Sequence, residues 1–147
     1  FGETGKKLNT YMAQKAILNE IEKTPGNPIL YGIMGDFYHS EKKYEAAIQS
    51  YEKSIRLDPE NPRILNNLAW IYATCESKKI RDPKRAVLLA KRALELEESP
   101  HILDTLAESY YAVGNHNKAM ETGKRALDLA AEDRIYYQKQ LKKFIEA

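Results

Sequence analysis

The stretch MGDFYHSEKKYEAAIQSYEKSIRL (residues 34–57) aligns without a gap on LAESYYAVGNHNKAMETGKRALDL (residues 106–129), 72 positions further along the chain. A shorter offset of 34 positions separates TPGNP (24–28) from DPENP (58–62). A fixed internal period indicates that the chain is built from copies of one small structural unit. Identical residues in the longer alignment are Tyr38 and Tyr110, Ala47 and Ala119, and Leu57 and Leu129.

A third copy lies between these two, with PRILNNLAWIYA (62–73) as its first half and RAVLLAKRALEL (85–96) as its second half. Its equivalent tyrosine and alanine, Tyr72 and Ala86, are fourteen positions apart, against nine in the outer copies. The middle copy therefore carries five extra residues between its halves, within ATCESKKIRDPKRA (73–86).

Both halves of each copy place apolar residues at a spacing of three and four, which predicts two amphipathic helices per copy. Asp82 and Pro83 suit a helix start, because aspartate caps the first turn and proline is tolerated there. No segment shows sustained alternation of apolar and polar residues, so we expect no sheet. The apolar stripe of the first helix in the first complete copy is Leu30, Ile33, Met34, Phe37 and Tyr38.

The inserted turn contains the only cysteine of the chain, Cys75, together with several basic residues. We interpret Thr74 to Arg81 as a polar, solvent-exposed turn, and we predict that removing residues 77–81 changes stability little. A phosphate-binding patch is the alternative, although no aromatic residue in the turn could stack on a base. Cys75 is expected to have a small apolar role at a helix end. The basic residues concerned are Lys78, Lys79, Arg81, Lys84 and Arg85.

The composition argues against several classes of protein. With 147 residues, 43% hydrophobic and 30% charged, the chain fits a soluble globular protein. A net charge of +2 is too small to indicate nucleic acid, and no apolar run is long enough to insert into a membrane. The histidines share no metal-ligand spacing, and no histidine lies near Cys75 in sequence. We therefore expect no catalytic residue, no metal and no cofactor; the three histidines are His39, His101 and His116.

The 34-residue, two-helix period resembles the tetratricopeptide repeat (TPR), whose motif places a large residue, Leu-Gly, Tyr, Ala, an aromatic residue, Ala and Pro at set spacings. The resemblance implies an all-α, right-handed superhelix of antiparallel helix pairs, a TPR solenoid. The long-turn middle copy looks like a variant found in many bacterial members. The first complete copy carries Tyr31, Met34-Gly35, Tyr38, Ala47, Tyr51, Ser54 and Pro59 at the motif positions. The resemblance predicts a single TPR domain (1–147) with an N-terminal helix or half-repeat (6–27), repeats 28–61, 62–99 and 100–133, and a capping helix (134–147).

The sequence also allows predictions for the two ends of the chain. The N-terminal helix is expected to present an apolar stripe that includes Leu8 and Met12. Because the chain starts at Phe1 and not at Met, we expect a fragment or a processed form. Its location would be cytoplasmic, or periplasmic and envelope-associated through a preceding segment. The residues expected to face inward on the capping helix are Ile135, Leu141, Phe144 and Ile145.

The resemblance also implies where a partner binds, since the first helices of TPR proteins line the concave groove. Trp70 lies off the apolar stripe of its helix, which favours the groove, although a core tryptophan remains the alternative. The acids at these positions predict an acidic groove and a ligand with an apolar side chain near basic residues. The groove residues implied are Asp36, His39, Asn66, Trp70, Asp104, Glu108 and Tyr111.

Chaperone-binding TPR proteins hold a C-terminal carboxylate with lysine, arginine and asparagine, and only Asn67 matches that set here. We therefore expect a non-catalytic scaffold for a peptide or partner protein of unknown identity, with no nucleic-acid ligand. The alternative is a structural module that packs on a larger parent protein or self-associates end to end as a homo-oligomer, which the tyrosines Tyr136 and Tyr137 keep open.

Overall fold

The computed structural model describes residues 2–147 and folds this part of the chain into eight α-helices. No residue in this range lies in a β-strand, so the predicted all-α fold is confirmed. The described residues form two compact units, 2–59 and 60–147. The helices are α1 (Glu3–Lys23), α2 (Pro28–Ser40), α3 (Tyr44–Leu57), α4 (Pro62–Thr74), α5 (Pro83–Leu96), α6 (Pro100–Ala112), α7 (His116–Leu129) and α8 (Arg134–Ile145).

Helix starts follow from proline and from short polar side chains. Helices α2, α4, α5 and α6 each have proline in the first turn, where the missing N–H is not needed. The side chain before α4, Asn61, accepts a hydrogen bond from the Ile64 N–H, and Asp82 accepts one from the Arg85 N–H, at 3.1 Å. The prediction that Asp82 and Pro83 begin a helix is therefore confirmed.

In the first unit, α2 and α3 form an antiparallel pair around Tyr51, whose side chain is fully buried. Gly35 of α2 lies directly against this ring, and a Cβ at that position would overlap it. Ser54 of α3 donates a 2.9 Å hydrogen bond to the carbonyl oxygen of Pro28. Gly35 on the facing helix therefore leaves the space that Tyr51 fills.

Helix α1 packs on α2, and none of its residues is buried. Gln14 donates a 3.2 Å hydrogen bond to the hydroxyl of Tyr38. The predicted apolar stripe is only partly covered, because Leu8 and Met12 are 60% and 57% exposed. Exposed apolar side chains of this size at helical spacing form a potential contact surface.

In the second unit, α4 pairs with α5, α6 pairs with α7, and α8 packs on α7. Ala69, Ala90 and Leu106 form a buried cluster that joins α4, α5 and α6. Alanine at such positions lets helices approach closely, so that larger side chains around the cluster are partly buried as well. A second cluster comprises Ala107, Ala119 and Phe144.

The long turn between α4 and α5 differs from its prediction. Residues 76–79 are exposed as expected, but Ile80 is buried, and the backbone around it is hydrogen-bonded. The Asp82 N–H donates to the Tyr72 carbonyl oxygen at 3.0 Å, and the Arg81 N–H donates to that of Ser77 at 2.9 Å. The prediction that the whole turn is exposed was therefore wrong, because the buried side chain of Ile80 anchors the insertion. Cys75 is a free, buried cysteine, as its predicted apolar role requires.

Helix α8 also departs from the sequence-based expectation. Phe144 is buried and Leu141 is half-buried, as predicted. Ile135 and Ile145 are 70% and 59% exposed, so their predicted inward position was wrong. The reason is that α8 directs a row of polar side chains, described below, toward α6.

Candidate partner-binding site

The second unit contains a cavity of about 720 Å³. Its wall combines side chains of α4, α6, the start of α7, α8 and the long turn. Among the sequence-predicted groove residues, it brings together Trp70, Glu108 and Tyr111. The lining residues are Trp70, Ala73, Thr74, Arg81, Glu108, Tyr111, Ala112, His116, Tyr136, Gln140 and Lys143.

Trp70 is half-buried on the wall of this cavity. Its neighbours along α4, Ala69 and Ile71, are almost completely buried. Of the two placements that the sequence left open, the structure therefore shows the indole partly accessible and in contact with the cavity. The backbone behind it is held by Thr74, whose hydroxyl donates a 2.7 Å hydrogen bond to the Trp70 carbonyl oxygen.

Tyr111 presents a second aromatic ring to the same cavity. Its ring centroid lies 5.5 Å from that of His116, edge to face, and 5.7 Å from that of Phe144. The ammonium group of Lys143 lies 5.5 Å from the Tyr111 centroid. This is within the range of a cation–π contact, so the ring is held in place from three sides.

The two acids of α6 are not open to a ligand. Asp104 and Glu108 are 4% and 8% exposed, because side chains of α8 approach them. Gln140 donates hydrogen bonds to both, at 3.0 Å to Asp104 and 2.8 Å to Glu108. Tyr136 donates to Asp104 at 2.7 Å, and Lys143 forms an ion pair with Glu108. The acids predicted to form an acidic groove are thus satisfied within the chain.

Burial shifts the pKa of both Asp104 and its hydrogen-bond donor Tyr136. Loss of solvent raises the pKa of Asp104, an effect that the hydrogen bonds from Tyr136 and Gln140 oppose and the nearby Glu108 charge reinforces. Burial also raises the pKa of Tyr136, and the Asp104 carboxylate raises it further. The Tyr136 hydroxyl therefore stays protonated and acts as the donor of this pair at neutral pH.

The sequence-based reasoning missed Tyr136, Gln140 and Lys143 as parts of the site. They recur at positions i, i+4 and i+7, so they lie along one face of α8. This polar periodicity was the available signal. It was overlooked because the inner face of α8 was sought only among apolar residues.

Asn66, another predicted groove residue, is 8% exposed and does not line the cavity. Its side-chain oxygen is buried and accepts no hydrogen bond from any residue in the range 2–147. An unpaired buried acceptor is costly, on the order of 1–3 kcal/mol. Asn66 therefore has no place on the cavity wall, in contrast to Trp70.

Asp36 and His39 belong to the first compact unit. The hydroxyl of Tyr51 donates a 2.7 Å hydrogen bond to Asp36, which ties this carboxylate to the core of the unit. Burial lowers the pKa of His39, and the Asp36 carboxylate opposes this effect. The His39 ring lies 5.9 Å from that of Tyr44.

Residues 2–147 contain no group of three or more His, Cys, Asp or Glu side chains arranged to hold a metal ion. Within the same range, no helix has the length and apolar character needed to cross a membrane.

Comparison with known proteins accounts for the helix pairs. Residues 35–74 match the family model for the TPR repeat. A thermophilic TPR protein of Thermus thermophilus, TTC0263, has the same fold, with a TM-score of 0.71 and 23% sequence identity. That match covers 92% of this chain and 75% of the other. Residues 35–74 therefore match a TPR repeat, and the described part of the chain has the fold of TPR proteins. Its fold class, an all-α TPR solenoid, is the predicted one.

Two further similarities concern TPR proteins and protein complexes. The first TPR of Spaghetti (RPAP3), solved with the HSP90 peptide SRMEEVD, has a TM-score of 0.71 and 21% identity, over 82% of this chain and 91% of that one. The formate-dependent nitrite reductase complex subunit NrfG of Escherichia coli O157:H7 is 23% identical over 78% of this chain. The chain spans 58% of the length of NrfG.

Proposed function

We propose that this protein is a non-catalytic scaffold that binds a segment of a partner protein in the cavity around Trp70. The observation that carries the proposal is the presence of two aromatic rings, Trp70 and Tyr111, on the wall of one cavity beside polar groups. Tryptophan and tyrosine are enriched among the residues that dominate binding energy at protein interfaces. A concave, partly apolar site with a few polar groups suits a peptide segment.

The related proteins support a role in assembling proteins. NrfG is named as a subunit of an enzyme complex, and the first TPR of Spaghetti was solved with a peptide bound. The likeness to the Spaghetti domain extends to the fold alone. This protein lacks most of the carboxylate-binding set of chaperone-binding TPR proteins, which argues against the same ligand. At one of the equivalent positions Thr105 uses its hydroxyl to bind the His101 carbonyl oxygen of its own helix, at 3.0 Å.

The single tryptophan of the chain makes the proposal directly testable. A peptide that enters the cavity should change the fluorescence emission of Trp70, and Trp70→Phe should abolish that signal while retaining part of the binding. A matched control is Leu88→Ala, since Leu88 is 68% exposed on α5 and does not line the cavity. If Trp70→Ala and Leu88→Ala lower peptide affinity equally, the cavity is not the binding site.

Self-association is the second candidate function. It is favoured by the exposed apolar residues of α1, where Leu8, Tyr11 and Met12 lie at a spacing of three and four. Sedimentation velocity over a wide range of protein concentrations separates the two functions. A monomer throughout favours the scaffold, whereas a dimer that Met12→Glu dissociates favours self-association.

A further inference from the structure

The charges that line the cavity do not balance. Arg81 and Lys143 are the basic residues of the lining with a permanent charge, and Glu108 is the acidic one. Lys143 and Glu108 pair with each other, and Asp104, behind them, is bonded to Tyr136 and Gln140. In the described part of the chain the guanidinium of Arg81 has no ion-pair partner. Arg81 is therefore the charged residue of the lining that is not held in an ion pair within the described residues.

The position of Arg81 is set by the five-residue insertion. Ile80 is buried directly before it, and the backbone on both sides is hydrogen-bonded to Ser77 and Tyr72. Lys78 and Lys79, in the same turn, are exposed and do not line the cavity. The turn thus directs one of its three basic side chains to the site and leaves two in solvent.

The charged groups of the lining differ in how many hydrogen bonds they can still make to a ligand. Arg81 offers up to five N–H donors, and the Lys143 ammonium has donors beyond the one that Glu108 accepts. The acids that could accept bonds from a basic ligand are already occupied by α8. The carboxylates beside the cavity are therefore less accessible to a ligand than the guanidinium of Arg81, which is an exposed residue.

From these observations we infer that the partner segment is acidic, with an Asp or Glu carboxylate bound by Arg81 and an adjacent apolar side chain packed on Trp70 and Tyr111. This inference rests on the proposed function and specifies its ligand. It reverses the charge expected from the sequence, because the carboxylates of Asp104 and Glu108 are buried and accept hydrogen bonds from α8. Arginine suits this role, since its planar group can bind a carboxylate through two parallel hydrogen bonds.

The test compares two sets of synthetic seven-residue peptides that vary the same central apolar residues. One set flanks them with Asp and Glu, and the other with Lys and Arg. Binding is measured by the emission of Trp70, at low and at high ionic strength. The variants are Arg81→Glu and a control with the same change of charge, Lys78→Glu. Circular dichroism melting shows whether both variants remain folded, and Arg81→Gln provides a milder second variant.

We expect peptides of the acidic set to bind the native protein more weakly as salt is raised, since salt screens exposed charges. Arg81→Glu should lower their affinity about ten-fold or more, in keeping with the loss of a charge-assisted contact, while Lys78→Glu should have little effect. Binding of the basic set alone, or equal effects of the two variants, would overturn the inference and leave the scaffold function standing. If neither set binds, both the inference and the proposed function fail.

Discussion

The hydroxyl of Tyr136 donates a 2.7 Å hydrogen bond to the carboxylate of Asp104, and thereby links α8 to α6. Gln140 and Lys143 extend the same link to Glu108. The acids that the resemblance to TPR proteins predicted in the groove therefore connect α6 to the last helix. The surface that remains for the proposed ligand presents Trp70, Tyr111 and Arg81.

The buried Asp104 should make stability depend on pH. Its pKa is raised above the ordinary value of 3.8, so the folded state holds the proton more tightly than the unfolded state. As pH rises from below 3.8 through the raised value, the native protein should lose stability relative to Asp104→Asn. The loss should be about 1.4 kcal/mol for each unit of pKa difference. Urea unfolding of both proteins across the acid range measures it.

Comparing the two proteins removes the contribution of groups that titrate equally in both. The charged and titratable groups that face Asp104, namely Tyr136, Glu108 and Lys143, are retained in the variant. A stability difference that stays constant, or that grows in favour of the native protein as pH rises, would contradict the raised pKa.

Stability should also depend on the anchor of the long turn. Ile80→Ala removes a buried side chain and should cost about 2 kcal/mol, as other truncations of buried isoleucine do. The adjacent Lys79→Ala should change stability by less than about 0.5 kcal/mol, because Lys79 is exposed. Chemical denaturation of the two variants provides the comparison. Equal effects would mean that the turn does not pack on the fold.

The contacts of α8 and the anchor of the long turn show what the sequence could and could not predict. The helix pairs were predictable because Tyr38 and Tyr110 share a register and because proline and polar caps mark the helix starts. The anchor at Ile80 was not, since one apolar residue in a polar segment has no periodicity. The contacts of Tyr136 and Gln140 were missed for a different reason: α8 binds α6 through polar side chains, and hydrophobic patterning does not detect such contacts.

A substitution in the turn between α2 and α3 should increase the stability of the protein. Lys42 has a φ angle of 59°, in the left-handed region, and the aligned residue of the third repeat is Gly114 with a φ angle of 80°. Glycine adopts this conformation without steric cost, so Lys42→Gly should raise stability by up to about 1 kcal/mol, less the added entropy of the unfolded chain. Lys43→Gly, at a φ angle of −89°, should give no gain. Thermal melting distinguishes the two variants.

Close packing in the first unit should make one glycine irreplaceable. A Cβ at Gly35 would overlap the ring of Tyr51, which is fully buried and bonded to Asp36. Gly35→Ala should therefore destabilise the protein by about 1–3 kcal/mol. Gly5→Ala, in open space on α1, should instead stabilise by about 0.5–1 kcal/mol, because alanine favours helix. The prediction is wrong if urea midpoints of the two variants move in the same direction.

The contribution of Trp70 to partner binding can be measured separately from its contribution to the stability of the fold. Because the indole is half-buried on the cavity wall, Trp70→Ala should weaken partner binding by about 2 kcal/mol or more, as truncation of a central anchor does. Its cost in stability should be smaller than that of Leu68→Ala, which removes a completely buried side chain and should cost about 2–5 kcal/mol. Circular dichroism melting ranks the two stabilities, and peptide titration below both melting temperatures ranks the affinities. If Trp70→Ala lowers the melting temperature as much as Leu68→Ala and leaves affinity unchanged, Trp70 stabilises the fold and the partner binds elsewhere.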